Sequence, residues 1–517
     1  MRLELNLDFE ERFAPERFFF GVAYAPYCEG GGLNAPDGPK NTDWTKRRHG
    51  EPGGYDEGIG FWDHHAEHIG LAASLGLNAF RFGIEWARCQ PSPSADPTEA
   101  PPWDASALDG YADMAALVID HGMQPIVTLH HFTHPLWLGV DIWLDDRGPD
   151  LLVEAQLRIV DEVNARLMAR GGTVMSHFLV YNEPNLIPLF YNSLDWYPGG
   201  RKGPEFVLPA FDTMLSHYVE AYDGLHDLFE ARGWGSPHVG YTIASMCSYE
   251  YDKQLDDLLR LRSRGVARAD VAAEIARHRM AWRARIDDLA ASQLTDEQHE
   301  RYLEMIEATA DMLPPERFTK TLDAVYASPR ADKLDYLSLN VYEPFGAPRR
   351  DPEDTDRRIP WERYMMDGEV YRTFILAKND ANTPPLPVYM GENSSANLQL
   401  ADGPAIPRPD GWTRERYLKT YLMEMVRCMK EGVPIEGYLY WTLVDDVHPP
   451  RLGLHNYDFV AHEILDTDGF GQPSGEIYAH LIAALRGGDK ARITDAFVNG
   501  YVRRERGGDP KPSSQTS

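Results

Sequence analysis

Short runs rich in Phe, Val, Ile, Leu and Tyr recur along the chain, separated by longer stretches whose apolar positions repeat at helical spacing. The runs are Arg17–Tyr24, Asn78–Trp86, Gln124–His131, Phe178–Tyr181, His238–Ala244, Leu334–Tyr342, Leu386–Asn393 and Gly437–Leu443. Helical spacing predicts helices over about 61–76, 105–122, 149–170, 205–232, 412–431 and 475–486. The fourth run stops at Asn182-Glu183-Pro184, because a proline cannot donate to a sheet ladder.

Residues 250–330 break this rhythm with consecutive helices, in one of which Val271, Ile275, Trp282, Ile286 and Leu289 share a face. The strand pattern resumes directly afterwards, so the region reads as an insertion in a βα connection. Repeated strand–helix units predict an α/β fold: a single (β/α)8 TIM barrel with a helical insertion between strands 5 and 6. The barrel is expected over residues 1–506, with a disordered tail over 507–517. The charged, proline-containing loop 345–361 is a candidate lid.

Composition narrows the function classes. The 517 residues are 43% hydrophobic, enough for a large core, and the net charge of −29 disfavours nucleic acid and anionic membranes as partners. No stretch has the apolar core of a signal peptide or a membrane span, and Cys28, Cys89, Cys247 and Cys428 lack metal or disulfide spacing. A cytoplasmic protein with free thiols is the expectation. Gly30-Gly31-Gly32 fits neither dinucleotide nor P-loop spacing. His64, His65 and His68 could bind a metal but read better as a solvated helix face. No metal and no cofactor is expected, and oligomeric state is left open.

The chemistry collects at strand ends, where Glu183 and Glu392 each sit beside an asparagine. Either glutamate alone would read as a solvated loop carboxylate; as a pair they could serve as the acid and nucleophile of glycoside hydrolysis. The segments Phe18–Ala23, Phe80–Arg88, Thr128–Phe132, Asn182–Pro184, Leu339–Tyr342, Glu392-Asn393 and Tyr440–Leu443 occur in order at successive strand ends. Together they resemble glycoside hydrolase family 1, the retaining β-glucosidase and β-galactosidase family, with this chain as a divergent member.

The resemblance implies a retaining β-glycosidase acting on a small-molecule glycoside. It implies Glu183 as acid/base, Glu392 as nucleophile, and Arg81 and Tyr342 in contact with that nucleophile. Asn182 matches the residue that bonds the sugar 2-hydroxyl, His131 a sugar-hydroxyl ligand and Trp441 a platform for the ring; Asn340 lies in a matched segment and joins the substrate-binding set. On the bland reading Arg81 is a structural ion-pair partner and Trp441 fills the barrel. His130 and His134 could equally satisfy backbone groups.

Two segments depart from the family pattern, the second being Asp446-Val447-His448-Pro449 where glucosidases of the family usually carry Asn-Phe-Glu-Trp. Cys28 stands where glucosidases of the family usually carry a glutamine, and His448, with Arg451 following, where they carry a glutamate. Both positions would touch the far side of the sugar. The substitution admits an acidic glycone paired with His448 or Arg451, or a wider apolar pocket for a pentose or deoxy sugar. A transglycosidase using the same glutamates, or a carbohydrate-binding protein without turnover, are the alternative functions.

Overall fold

Eight parallel strands close into a barrel: β1 (Phe19–Ala23), β2 (Ala79–Gly83), β3 (Gln124–Thr128), β4 (His177–Asn182), β5 (His238–Ala244), β6 (Leu337–Asn340), β7 (Val388–Asn393) and β8 (Ile435–Tyr440). The spatial order is β1-β8-β7-β6-β5-β4-β3-β2, the ring expected of consecutive βα units. The computed structural model describes residues 2–26, 31–33, 38, 40–44, 59–92, 100–145, 147–189, 192, 200–342, 368–380, 384–395, 397–399, 405–406, 411–444, 460–461 and 473–501. The loop 345–361 and the tail 507–517 lie outside these residues.

Strand alternation builds two cores. Inward-facing Ala23, Ala79, Ile126, Leu179, Tyr336, Tyr389 and Leu439 fill the barrel, with Phe19 and Trp441 packed against them. Outward-facing neighbours such as Phe20, Phe80, Val127, Phe178, Met390 and Tyr438 join the larger core beneath the helices. Both faces of each strand are buried, which is why the strands read as continuous apolar runs.

The surrounding helices match the sequence period closely: Phe61–Ser74, Ala105–Asp120, Gly148–Ala169, Pro204–Arg232, Arg414–Lys430 and Ser474–Gly487. Asp104 and Thr413 cap two of them by accepting backbone N–H groups. Between β5 and β6 lie several helices, the longest spanning Val271–Gln293. Its Val271, Ile275, Trp282 and Ile286 are buried as expected, whereas Leu289 is only partly covered. The helices Gly368–Asn379 and Lys490–Val498 were not anticipated from the periodicity. None of the helices among the described residues is long and apolar enough to cross a membrane.

Strands β4 and β7 each carry an extra residue near the site. Leu179 and Asn182 of β4 pair with Gly240 and Thr242 of β5, so three steps on one strand match two on the other. On β7, Met390 and Glu392 pair with the adjacent residues Leu339 and Asn340 of β6, leaving Gly391 extra. Such bulges shift the phase of alternation and re-aim the side chains beyond them. Tyr181 accordingly joins the outer core, while Asn182 reaches into the barrel mouth.

Gly391 is required by space. A Cβ there would lie 2.4 Å from Ser338 Oγ, 2.9 Å from Thr242 Oγ1 and 3.0 Å from Asn340 Oδ1. Gly391→Ala is expected to lower the free energy of unfolding in urea by about 1–3 kcal/mol, through overpacking at a rigid site. Gly487→Ala, which meets nothing within 4 Å, should change it by less than about 0.5 kcal/mol.

Candidate active site

Arg81 enters the barrel mouth from β2, fully buried, and its guanidinium reaches three other strands. Nε donates to Thr128 Oγ1 at 3.0 Å, and one terminal nitrogen donates to Gly391 O at 3.1 Å and Glu392 Oε1 at 2.9 Å. The other terminal nitrogen donates to Asn182 Oδ1 at 2.6 Å. The second carboxylate oxygen of Glu392 accepts the Tyr342 hydroxyl at 2.7 Å. Glu183 lies just past β4 with φ +47, and its carboxylate accepts Asn340 Nδ2 at 2.7 Å. Asn340 is oriented in turn by the Thr242 hydroxyl, which donates to its Oδ1 at 2.7 Å.

Both glutamates are buried, yet they keep different company. Burial pushes Glu183 up to about 8, helped by the charge of Glu392 and only partly offset by Asn340 and Arg81. Burial also raises Glu392, but there Arg81 and the Tyr342 hydroxyl pull the other way. The two titrate as a pair, and the first proton belongs on Glu183, which lacks the cation in direct contact. Tyr342 itself is held well above its ordinary value by burial and by the charge of Glu392, so it donates.

Asn182 Nδ2 and His131 Nδ1 are buried and have no hydrogen-bond partner among the described residues. His131 is held far below its ordinary value, by burial first and Arg81 second, and is therefore neutral. Trp441, joined to Thr442 by a cis peptide, lies with its ring centroid 6.0 Å from that of His131. It also packs on the barrel core, as the space-filling reading expects. Likewise Arg81 is both a buried ion-pair partner and part of the carboxylate cluster. Cys28, His448 and Arg451 lie outside the described residues.

The remaining histidines separate cleanly. His130 is enclosed by Trp143 and Tyr181, and His134 Nε2 meets the backbone oxygen of Gly139 at 2.7 Å. His68 is a correction to the expected solvated helix face: it is buried, with Nδ1 2.9 Å from the Tyr24 hydroxyl. Among the described residues one group, Asp150, His217 and Glu220, brings three potential metal ligands together. Its three residues lie on the helices Gly148–Ala169 and Pro204–Arg232. Glu85 and Thr133 were missed by the sequence reading, although Glu85 lies within a matched segment: the Thr133 hydroxyl donates to Glu85 Oε2 at 2.6 Å beside His131.

The glycosyl hydrolase family 1 model matches residues 10–463, nearly the whole chain. The protein belongs to glycosyl hydrolase family 1. It is a glycoside hydrolase of a family of retaining β-glycosidases. It is 23% identical over 459 residues to the Zea mays 4-hydroxy-7-methoxy-3-oxo-3,4-dihydro-2H-1,4-benzoxazin-2-yl glucoside beta-D-glucosidase 2, chloroplastic, covering 84% of this chain and 78% of that protein. The Delphinium grandiflorum cyanidin 3-O-glucoside 7-O-glucosyltransferase (acyl-glucose) is 23% identical over 483 residues, covering 86% of each. Among solved structures, the Thermotoga maritima beta-glucosidase in complex with castanospermine superposes with a TM-score of 0.64 at 18% identity. That match covers 91% of this chain and 98% of that one, and it supports the barrel fold.

The unequal surroundings of the two carboxylates give a direct titration test. In infrared difference spectra a protonated carboxyl should persist until the pH rises through about 8, and it should vanish in Glu183→Gln. In Arg81→Met the signal should persist to higher pH, since the cation that lowers both acids is gone.

Proposed function

We propose that the protein cleaves β-O-glycosides by double displacement, with Glu392 as nucleophile and Glu183 as acid/base. The supporting observation is the asymmetry of the buried pair: Arg81 and Tyr342 bond Glu392, whereas a neutral amide bonds Glu183. Glu392 attacks the anomeric carbon as Glu183 delivers its proton to the departing oxygen, which leaves with the electron pair of the broken bond. Glu183, now a carboxylate, takes a proton from water; that water displaces Glu392 and the sugar leaves with its β configuration. Asn182 Nδ2, the buried donor without a partner among the described residues, suits a contact to the sugar 2-hydroxyl that tightens as charge develops. His131 and Trp441 would hold the rest of the ring.

The glycone is taken to differ from plain glucose or galactose, on the strength of Cys28 and His448. Comparing kcat/KM for aryl β-glucuronide, β-glucoside and β-xyloside, in wild type and His448→Glu, separates an acidic glycone from a pentose or deoxy sugar. Transfer to an acceptor alcohol is the second reading, favoured by the Delphinium relative whose name is that of a glucosyltransferase. Product analysis with added alcohol distinguishes it. A cytoplasmic location is part of the proposal, supported by the buried free thiols of Cys89, Cys247 and Cys428.

Replacing each glutamate tests the roles. Glu392→Gln should remove turnover for every leaving group. Glu183→Ala should lower kcat about 10²–10⁴-fold on alkyl glycosides, and far less on aryl glycosides whose leaving group needs no proton. A 2-fluoro glycoside of an accepted sugar should label Glu392 in peptide maps; a label elsewhere overturns the assignment.

A further inference from the structure

We propose that Glu85, which would touch no substrate, is a positioning residue: through Thr133 it holds the turn after β3 that aims His131 into the sugar site. This rests on the glycosidase reading above and adds a specificity element to it.

The turn needs holding. Phe132 adopts φ +69, a left-handed conformation that costs a bulky residue of order 1–3 kcal/mol and persists only where its surroundings impose it. On one side Asp43 imposes it, accepting His134 N–H at 3.0 Å through Oδ1 and donating its own N–H to His134 O at 3.0 Å. Trp44 stacks on the Phe132 ring, centroids 5.6 Å apart. From the side of β2, the tie is the Thr133 hydroxyl on Glu85 Oε2 at 2.6 Å.

Glu85 is suited to act as an anchor. It follows β2 by two residues, its Oε1 accepts Ala87 N–H at 3.1 Å, and its own N–H donates to the Tyr111 hydroxyl at 3.0 Å. It is therefore fixed to the helical turn Trp86–Cys89 and to the helix Ala105–Asp120 at once. The ring of His131, by contrast, has no hydrogen-bond partner at Nδ1 among the described residues. Its direction is set by the backbone that Glu85 and Asp43 clamp.

Keeping a carboxyl here is costly. Glu85 is buried, and burial pushes it up to about 7; Asp43 raises it further, while Thr133, Ala87 N–H and Arg88 lower it. A small neutral residue would avoid the cost, so the burial calls for a use, and the Thr133 contact supplies one.

The test compares steady-state kinetics on an aryl β-glycoside turned over by wild type. The variants are Glu85→Ala, Glu85→Gln, His131→Ala and the double variant Glu85→Ala/His131→Ala. Glu85→Ala should raise KM about tenfold with kcat within about threefold, the signature of lost ground-state binding. Glu85→Gln should restore KM to within about twofold: the amide can donate to Thr133 Oγ1 while that hydroxyl turns to His131 O, already 3.5 Å away. The double variant should be no worse than His131→Ala, since Glu85 acts through that side chain. Additive losses, an unchanged KM in Glu85→Ala, or failure of the glutamine to rescue would each overturn the proposal. If Glu85→Ala does not fold, Thr133→Val removes the same contact from the other end and must give the same pattern. Absence of turnover in wild type across aryl glycosides would defeat the glycosidase reading itself, and this proposal with it.

Discussion

A single guanidinium holds the mouth of the barrel together. Arg81 lies wholly out of water and reaches acceptors on β3, β4 and β7 from its own place on β2. Without it, Glu183 and Glu392 would share a dry space with no opposing charge in contact; unpairing a buried ion costs about 3–5 kcal/mol. Its influence extends past charge. Because Asn182 Oδ1 accepts from Arg81 and from Asn340 at 3.4 Å, the amide is oriented with its buried Nδ2 left without a partner among the described residues. On the function proposed above, the donor that would meet a sugar is thus selected by a residue that does not itself need to touch one.

The cation also makes two chemically identical side chains unlike. Both glutamates are raised by burial, but only Glu392 has a cation and a phenol in direct contact to offset it. A site of this kind puts the first proton on Glu183 and leaves Glu392 the more acidic of the two, the asymmetry that paired-carboxylate chemistry requires. Asn340 completes the separation by linking Glu183 to Thr242 instead of to the guanidinium.

Much of this was legible in the sequence. All eight strands appear where apolar runs predicted them, because buried barrel strands read continuously instead of alternating. Resemblance placed Arg81 and Tyr342 beside Glu392, and both bond its carboxylate; Asn340 was expected in the substrate-binding set, and its amide bonds Glu183. The bulges in β4 and β7 were not legible: an extra residue in one strand shows only against its partner's register. The helix Gly368–Asn379 was passed over although Val370, Tyr371, Phe374 and Ile375 carry a helical period, since aromatic and β-branched residues on so short a segment resemble strand. Glu85 was quoted as part of a matched segment without a role, because its partner Thr133 is distant in sequence.

Glu183 and Phe132 are two of the three non-glycine residues with positive φ among the described residues, the third being Cys247. Both stand just beyond strands that feed the carboxylate cluster. At such positions glycine or asparagine would relieve backbone strain, and at Glu183 would also remove a buried acid. A redesign scored on stability alone would therefore replace the very residue that holds the proton. On the acid/base role proposed for Glu183, thermal robustness and turnover pull in opposite directions at this one peptide, and stabilising changes to this chain belong elsewhere on the barrel.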